Sequence, residues 1–103
     1  MSDKTKISDD LKVACEIWHF NQINEPIYFT KLVESLKMYM SKQVVSHSLD
    51  TLEDWMIVYG EYGPAGEGRI ARVFFIDTHD GGDFRIRELY ESYWKEMRCQ
   101  PSQ

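Results

Sequence analysis

At 103 residues the chain has room for one domain with a modest core. A hydrophobic fraction of 43% beside 28% charged residues excludes a disordered or membrane-embedded class. The net charge of −5 argues against indiscriminate binding to nucleic acid, because phosphate neutralisation supplies most non-specific affinity.

Residues 1–7 are polar and read as a frayed lead-in. Ser8 is a good N-cap, and Asp9 and Asp10 suit the positive end of a helix dipole. Leu11, Ala14, Cys15, Ile17, Trp18 and Phe20 give this first helix a broad apolar stripe. Asn21 to Glu25 reads as a loop, and Pro26 pushes Glu25 out of the helical region. Ile27 and Tyr28 suit a short first strand. Thr30 is a candidate cap for a second helix, about Lys31 to Met38, with Leu32, Val33 and Leu36 facing inward.

Lys37-Met38-Tyr39-Met40 makes the next turn, and Ser41 can cap a third helix. Val45, Leu49 and Leu52 fall on one face of that helix. Lys42, Gln43, Ser46, His47 and Asp50 fall on the other. Such a helix packs its back in a core and offers its front to another surface; a duplex major groove is about wide enough to admit it. Met56 to Tyr59 favours a strand, Gly60 to Gly68 a flexible loop, and Arg69 to Ile76 a second strand. Asp80-Gly81-Gly82 breaks the chain. Asp83 can cap a last helix, Phe84 to about Arg98, along which Ile86, Leu89, Tyr90, Tyr93, Trp94 and Met97 follow the helical repeat.

The segment Ser41-Lys42-Gln43-Val44-Val45-Ser46-His47-Ser48-Leu49-Asp50-Thr51-Leu52-Glu53, followed by Met56-Ile57-Val58, resembles the recognition helix of winged helix-turn-helix regulators. The family pattern runs serine, two polar residues, any residue, Val-Ser, a basic residue, and then Leu and Leu-Glu. Ile27 to Leu36 is similar to the helix that precedes it, and Arg69 to Ile76 stands where a second wing strand would be. The likeness spans roughly residues 11 to 97 and is nearest to small regulators of the PadR, HxlR and MarR kinds. It implies an α+β fold, mostly helical, with a small antiparallel β-hairpin wing and an extra C-terminal helix. The family often has glycine in the turn before the third helix and again after it. This chain has none at either place, so a longer first turn is expected.

The resemblance implies a homodimeric, sequence-specific, double-stranded-DNA-binding transcriptional regulator. Ser41, Lys42, Gln43, Ser46 and His47 would meet the duplex from the third helix, and Arg69 or Arg72 from the wing. Glutamine can pair with adenine, lysine with guanine or phosphate, and basic wing residues with the backbone or minor groove. Strand alternation puts Arg69 and Arg72 on opposite faces, which favours Arg69. In the plainer reading either arginine pairs with Glu61 or Glu67 across the hairpin. Residues 28–76 carry five basic against six acidic side chains, a balance of −1. Leu89, Tyr90, Tyr93, Trp94 and Met97 are the candidate dimer seam; a ligand pocket and ordinary core are the alternatives for that stripe. The acidic balance and the missing glycines favour a rival, a winged helix that binds protein and not DNA.

Enzyme readings fare poorly. His19, His47 and His79 lack metal spacing, and Asp77, Asp80 and Asp83 lack the ligand order of an EF-hand. The glycines have no phosphate-loop context. Cys15 and Cys99 show no metal or redox spacing; Cys15 reads as a small core residue and Cys99 as a free thiol. No catalytic residue, cofactor or metal is expected; a small-molecule effector is compatible with the sequence but not indicated by it. No apolar run is long enough to span a membrane and no signal peptide is apparent, so the cytoplasm is the expected compartment. The whole chain, 1–103, reads as one domain with its core at about 8–98.

Overall fold

The computed structural model describes residues 8–81 and 83–99, without the side chains of Asp80 and Cys99. The expectations for residues 1–7, Gly82 and the Cys99 thiol lie outside what is described. Helix α1 (Asp9–Gln22) starts where Ser8 Oγ accepts from the Leu11 amide at 3.2 Å. It runs two residues past Phe20. Asn24, at φ 59°, then closes it, with the Asn24 and Glu25 amides donating to the Asn21 and Phe20 carbonyls. Val13 to Trp18 are all buried, so the middle of α1 is enclosed on every side rather than along one stripe. Cys15 lies in that core, where burial, with the Glu16 charge, pushes its thiol up to about 12.

Helix α2 (Phe29–Leu36) begins earlier than the Thr30 cap would place it, and Tyr28 holds the cap position without a side-chain bond. The cause is tertiary. Tyr28 bridges to Val73 and the Ile27 carbonyl accepts from the Phe74 amide, so the chain leaves the edge of the hairpin and turns straight into the helix. The next turn needs no glycine, because none of residues 37–40 takes a positive φ. The Tyr39 and Met40 amides both donate to the Leu36 carbonyl.

Helix α3 (Lys42–Asp54) is capped as expected, Ser41 Oγ accepting from the Val44 amide at 3.3 Å. Its far end solves the other missing glycine differently. Met56 itself adopts φ 62°, while its amide and that of Ile57 donate to the carbonyls of Glu53 and Leu52. That is the bond pattern of a Schellman motif with a methionine in the glycine position.

Strand β1 (Val58–Pro64) pairs antiparallel with β2 (Ile70–Ile76), from Val58 opposite Ile76 out to Pro64 opposite Ile70. The expected loop over 60–68 therefore shrinks to a tip at 65–69, where Gly66, Glu67 and Gly68 all take positive φ. Ala65 and Arg69 close the tip through a bond of 2.8 Å from the Ala65 amide to the Arg69 carbonyl. Asn21 of α1 clamps β2, its side chain donating to the Phe74 carbonyl and accepting from the Ile76 amide.

A 3₁₀ turn (His79–Gly81) leads into the last helix, which is not uniform. It comprises α4 (Phe84–Leu89), a π-helical segment (Tyr90–Trp94) and α5 (Lys95–Cys99). Asp83 precedes it without making a side-chain cap bond. Ile86, Tyr90 and Trp94, four residues apart, are all buried. In an α-helix a four-residue step drifts by roughly 40°, and the wider π turn keeps them facing one way.

Trp94 is fully buried and Tyr90 is 8% exposed, so the terminal stripe is core of the monomer and these two have no face to offer a second copy. Leu89, Tyr93 and Met97 are half-buried against the same core. What holds Trp94 inside is Glu16, a residue the apolar pattern of α1 passes over. Trp94 Nε1 donates to Glu16 Oε1 at 2.8 Å, and Arg98 sends Nε and Nη2 to the two carboxylate oxygens at 2.9 and 2.8 Å. Ser35 Oγ of α2 donates to the same carboxylate. One buried anion thus ties α1, α2 and the last helix together. Helix, turn, helix, β-hairpin and C-terminal helix in this order make the fold a winged helix-turn-helix.

Candidate nucleic-acid interface

The back of α3 is set by Val45, Ser48, Leu49 and Leu52, all buried. Its front follows from the same periodicity: Ser41, Lys42, Gln43, Ser46, His47 and Asp50 are exposed. Helix α3 therefore presents the expected polar residues outward as one face. The Ser41 hydroxyl is the exception in role, since it is already committed to the helix cap.

The hairpin stands beside this face and a groove of about 380 Å³ separates the two. Ser46, Asp50 and Glu53 of α3 line one wall, Arg69, Ala71 and Arg72 of the hairpin the other, and Thr30 borders it from α2. Arg69 and Arg72 both border this groove. Arg69 stands at the end of the tip, one residue before β2, and Arg72 inside the strand. Arg69 lies with its guanidinium 5.9 Å from the Tyr28 ring centroid and is exposed.

Arg72 is held differently. Its Nη1 and Nη2 donate to Glu53 Oε2 and Oε1 at 2.7 and 3.1 Å, a two-pronged bond from the wing to α3. The partner is neither Glu61 nor Glu67. Gly60 leaves room for this reach. A Cβ there would stand 2.8 Å from Arg72 Cζ and 2.9 Å from Nε, so the arginine crosses β1 through space that a side chain at this position would contest. The guanidinium also sits 5.4 Å from the Phe74 ring centroid. The bond to Glu53 raises the Arg72 pKa further above its ordinary value, so the group stays charged.

Other side chains complete the surroundings. Asp9 and Asp10 of α1 border a shallow hollow with Gln43 and His47, so the near end of the α3 face has an acidic edge. Leu11, Trp55, Ile57, Ile86 and Leu89, with Ser8 and Arg85, line a mostly apolar hollow of about 620 Å³, with Trp55 60% exposed. Asp77 Oδ1 accepts from the His79 amide at 2.9 Å, which is turn chemistry. Among the described residues no three His, Cys, Asp or Glu side chains converge as a metal site, and no helix is long and apolar enough to cross a membrane.

Glu53 and Gly60 were out of reach of sequence reasoning, because their roles depend on the hairpin register and on where α3 ends. Glu16 did leave a signal, a carboxylate set between Cys15 and Ile17 in an apolar run.

No protein-family model matches the sequence, and no curated protein matches it. Solved structures do. Pex from Synechococcus sp. (strain PCC 7942) superposes with a TM-score of 0.59 at 25% identity, over 88% of this chain and 83% of that one. The circadian clock associated protein Pex from Anabaena gives a TM-score of 0.61 at 15% identity, over 88% of this chain and 81% of that one. The chain is similar to both across nearly its whole described length, which is a likeness of fold.

Proposed function

We propose that this protein is a sequence-specific DNA-binding transcriptional regulator of the winged helix kind, related in manner to the PadR, HxlR and MarR regulators. One observation carries the reading: α3 has a buried aliphatic back and an exposed front of Lys42, Gln43, Ser46 and His47, beside a protruding hairpin that carries Arg69 and Arg72. Helix α3 enters the major groove, where Gln43 and Lys42 have the donors to read adenine and guanine. The wing meets the flanking backbone. The acidic remainder of the surface keeps non-specific affinity low, so discrimination rests on α3 rather than on bulk charge.

The regulator acts as a homodimer reading two half-sites. With Trp94 and Tyr90 inside the monomer, the seam forms on the exposed apolar side, from Leu11, Trp55, Phe84 and the outer edge of Leu89. The setting is cytoplasmic. Duplexes selected from a random library and titrated over a salt series test the reading. Affinity for one preferred sequence, falling steeply with salt, is expected, and Lys42→Glu with Gln43→Ala should abolish the preference while the fold persists. Sedimentation at several concentrations tests the dimer, and Trp55→Ser should shift it toward monomer.

A second reading is kept because Trp55, Met56 and Phe84 are exposed at 60, 77 and 56% on a chain of net charge −5. A winged helix that docks on another protein would show no duplex binding at any salt.

A further inference from the structure

We propose that the groove between α3 and the wing is a site for one backbone phosphodiester, and that in the free protein the Glu53 carboxylate holds the place of that phosphate. This rests on the DNA-binding reading above. Arg72 is already aimed: its fork meets two oxygens at 2.7 and 3.1 Å, the geometry a guanidinium uses equally for carboxylate and phosphate. Gly60 leaves room for the arginine to cross β1, and the Phe74 ring lies beside the guanidinium. The groove supplies further donors in Arg69 and in the hydroxyls of Ser46 and Thr30, and Asp50 is the one other carboxylate on its α3 wall. The arginine and the two hydroxyls are of the kind that bind phosphate oxygens.

The carboxylate that now fills the fork is replaceable. The Glu53 side chain is 28% exposed and that of Arg72 41%, so water reaches both and their attraction is screened. Glu53 belongs to the last turn of α3 and its side chain can swing into solvent. A phosphodiester entering the groove would take over the fork and gain Arg69, while Glu53 leaves as a hydrated anion. No covalent step is involved. The consequence is selective: the wing arginine stays occupied until a duplex is seated on α3, so Glu53 lowers affinity for any duplex and leaves α3 to choose among sequences.

The test is the anisotropy of a labelled duplex of random sequence, titrated over a salt series with the wild type, Glu53→Gln, Arg72→Gln and the double variant. Circular dichroism confirms that each is folded. Glu53→Gln should tighten binding roughly threefold to tenfold and steepen the dependence of log K on log salt by about one phosphate contact. Adding Arg72→Gln should remove both gains. Binding that is unchanged or weaker in Glu53→Gln, or a gain that survives the loss of Arg72, overturns the phosphate site and leaves the DNA-binding reading standing. If no variant binds any duplex at any salt, that reading falls and the phosphate site falls with it.

Discussion

Glu16 and Glu53 each receive an arginine fork across a gap between elements, with nearly the same bond lengths. Their surroundings differ. The Glu16 side chain is 2% exposed, and it takes bonds from Trp94 and Ser35 as well as Arg98. The Glu53 side chain is 28% exposed, and Arg72 is its hydrogen-bond partner in the groove. Buried carboxylates cannot be left without partners, because the desolvation cost of the charge stays when the bonds go. Half-exposed ones fall back on water. The same pair of side chains is therefore a structural requirement beneath α1 and a reversible latch at the wing.

The largest test of this contrast is removal of each carboxylate in turn. Glu16→Ala leaves Arg98 and the Trp94 N–H without their anion, and should cost about 3–5 kcal/mol of stability, read from urea unfolding. That is a large part of what a domain of this size has. Glu53→Ala should cost less than ~1 kcal/mol. Equal losses would break the comparison.

Acid sharpens it. Burial pushes the Glu16 carboxyl up, but the bonds from Arg98, Ser35 and Trp94 outweigh burial and hold it below the ordinary glutamate value. Its folded-state pKa is thus depressed. The stability it contributes is present above the ordinary glutamate value and is lost as pH falls through the lower folded one. His19 lies on the same side of the molecule, sharing a 2.8 Å hydrogen bond between Nδ1 and the Tyr90 hydroxyl. Burial and the nearby Arg98 charge hold its imidazole below the ordinary histidine value. The sign is the same: a neutral His19 is compatible with the fold above the ordinary histidine value, and stability falls as pH drops toward its folded value. Melting temperature against pH should therefore decline in two stages, the milder one first, and His19→Gln should flatten that first stage alone.

Met56 offers a smaller change. It holds a left-handed conformation at 77% exposure, so its side chain adds little burial to offset the backbone cost. Met56→Gly should stabilise the protein by about 1 kcal/mol in thermal melts. Because Met56 links α3 to β1, an unchanged affinity of this variant for a duplex would show that the hinge geometry, and with it the Glu53–Arg72 reach, is kept.

The parts of this fold legible in the sequence are those fixed locally. The Ser8 and Ser41 caps and the two faces of α3 follow from neighbours within four residues, and they stand as expected. The missing glycines were legible as an anomaly but not as a solution, because one turn closes without positive φ and the other spends a methionine on it. Gly60, Gly63 and Pro64 look like loop and make strand β1 seem short from sequence alone; pairing with β2 overrides them. The candidate site divides the same way. Lys42, Gln43, Ser46 and His47 could be placed by periodicity, whereas Glu53, Gly60 and Arg72 meet only through strand register. The Tyr90 and Trp94 stripe was ambiguous in principle, since a helix face does not declare whether its cover comes from the same chain or another. Glu16 decides the matter for Trp94.

The finest test is the coupling across the latch itself. A double-mutant cycle of Glu53→Gln and Arg72→Gln on stability should return a coupling of only about 0.2–1 kcal/mol, shrinking further in high salt as the exposed pair is screened. A value near that of the buried network would mean that Arg72 is locked in place and unable to exchange its carboxylate for another anion. A value near zero would mean the opposite, that the fork is kept in shape by Gly60 and Phe74 alone. A weak coupling in this window is what a latch requires: enough to fix the wing beside α3 in the free protein, and too little to hold it there against a competing anion.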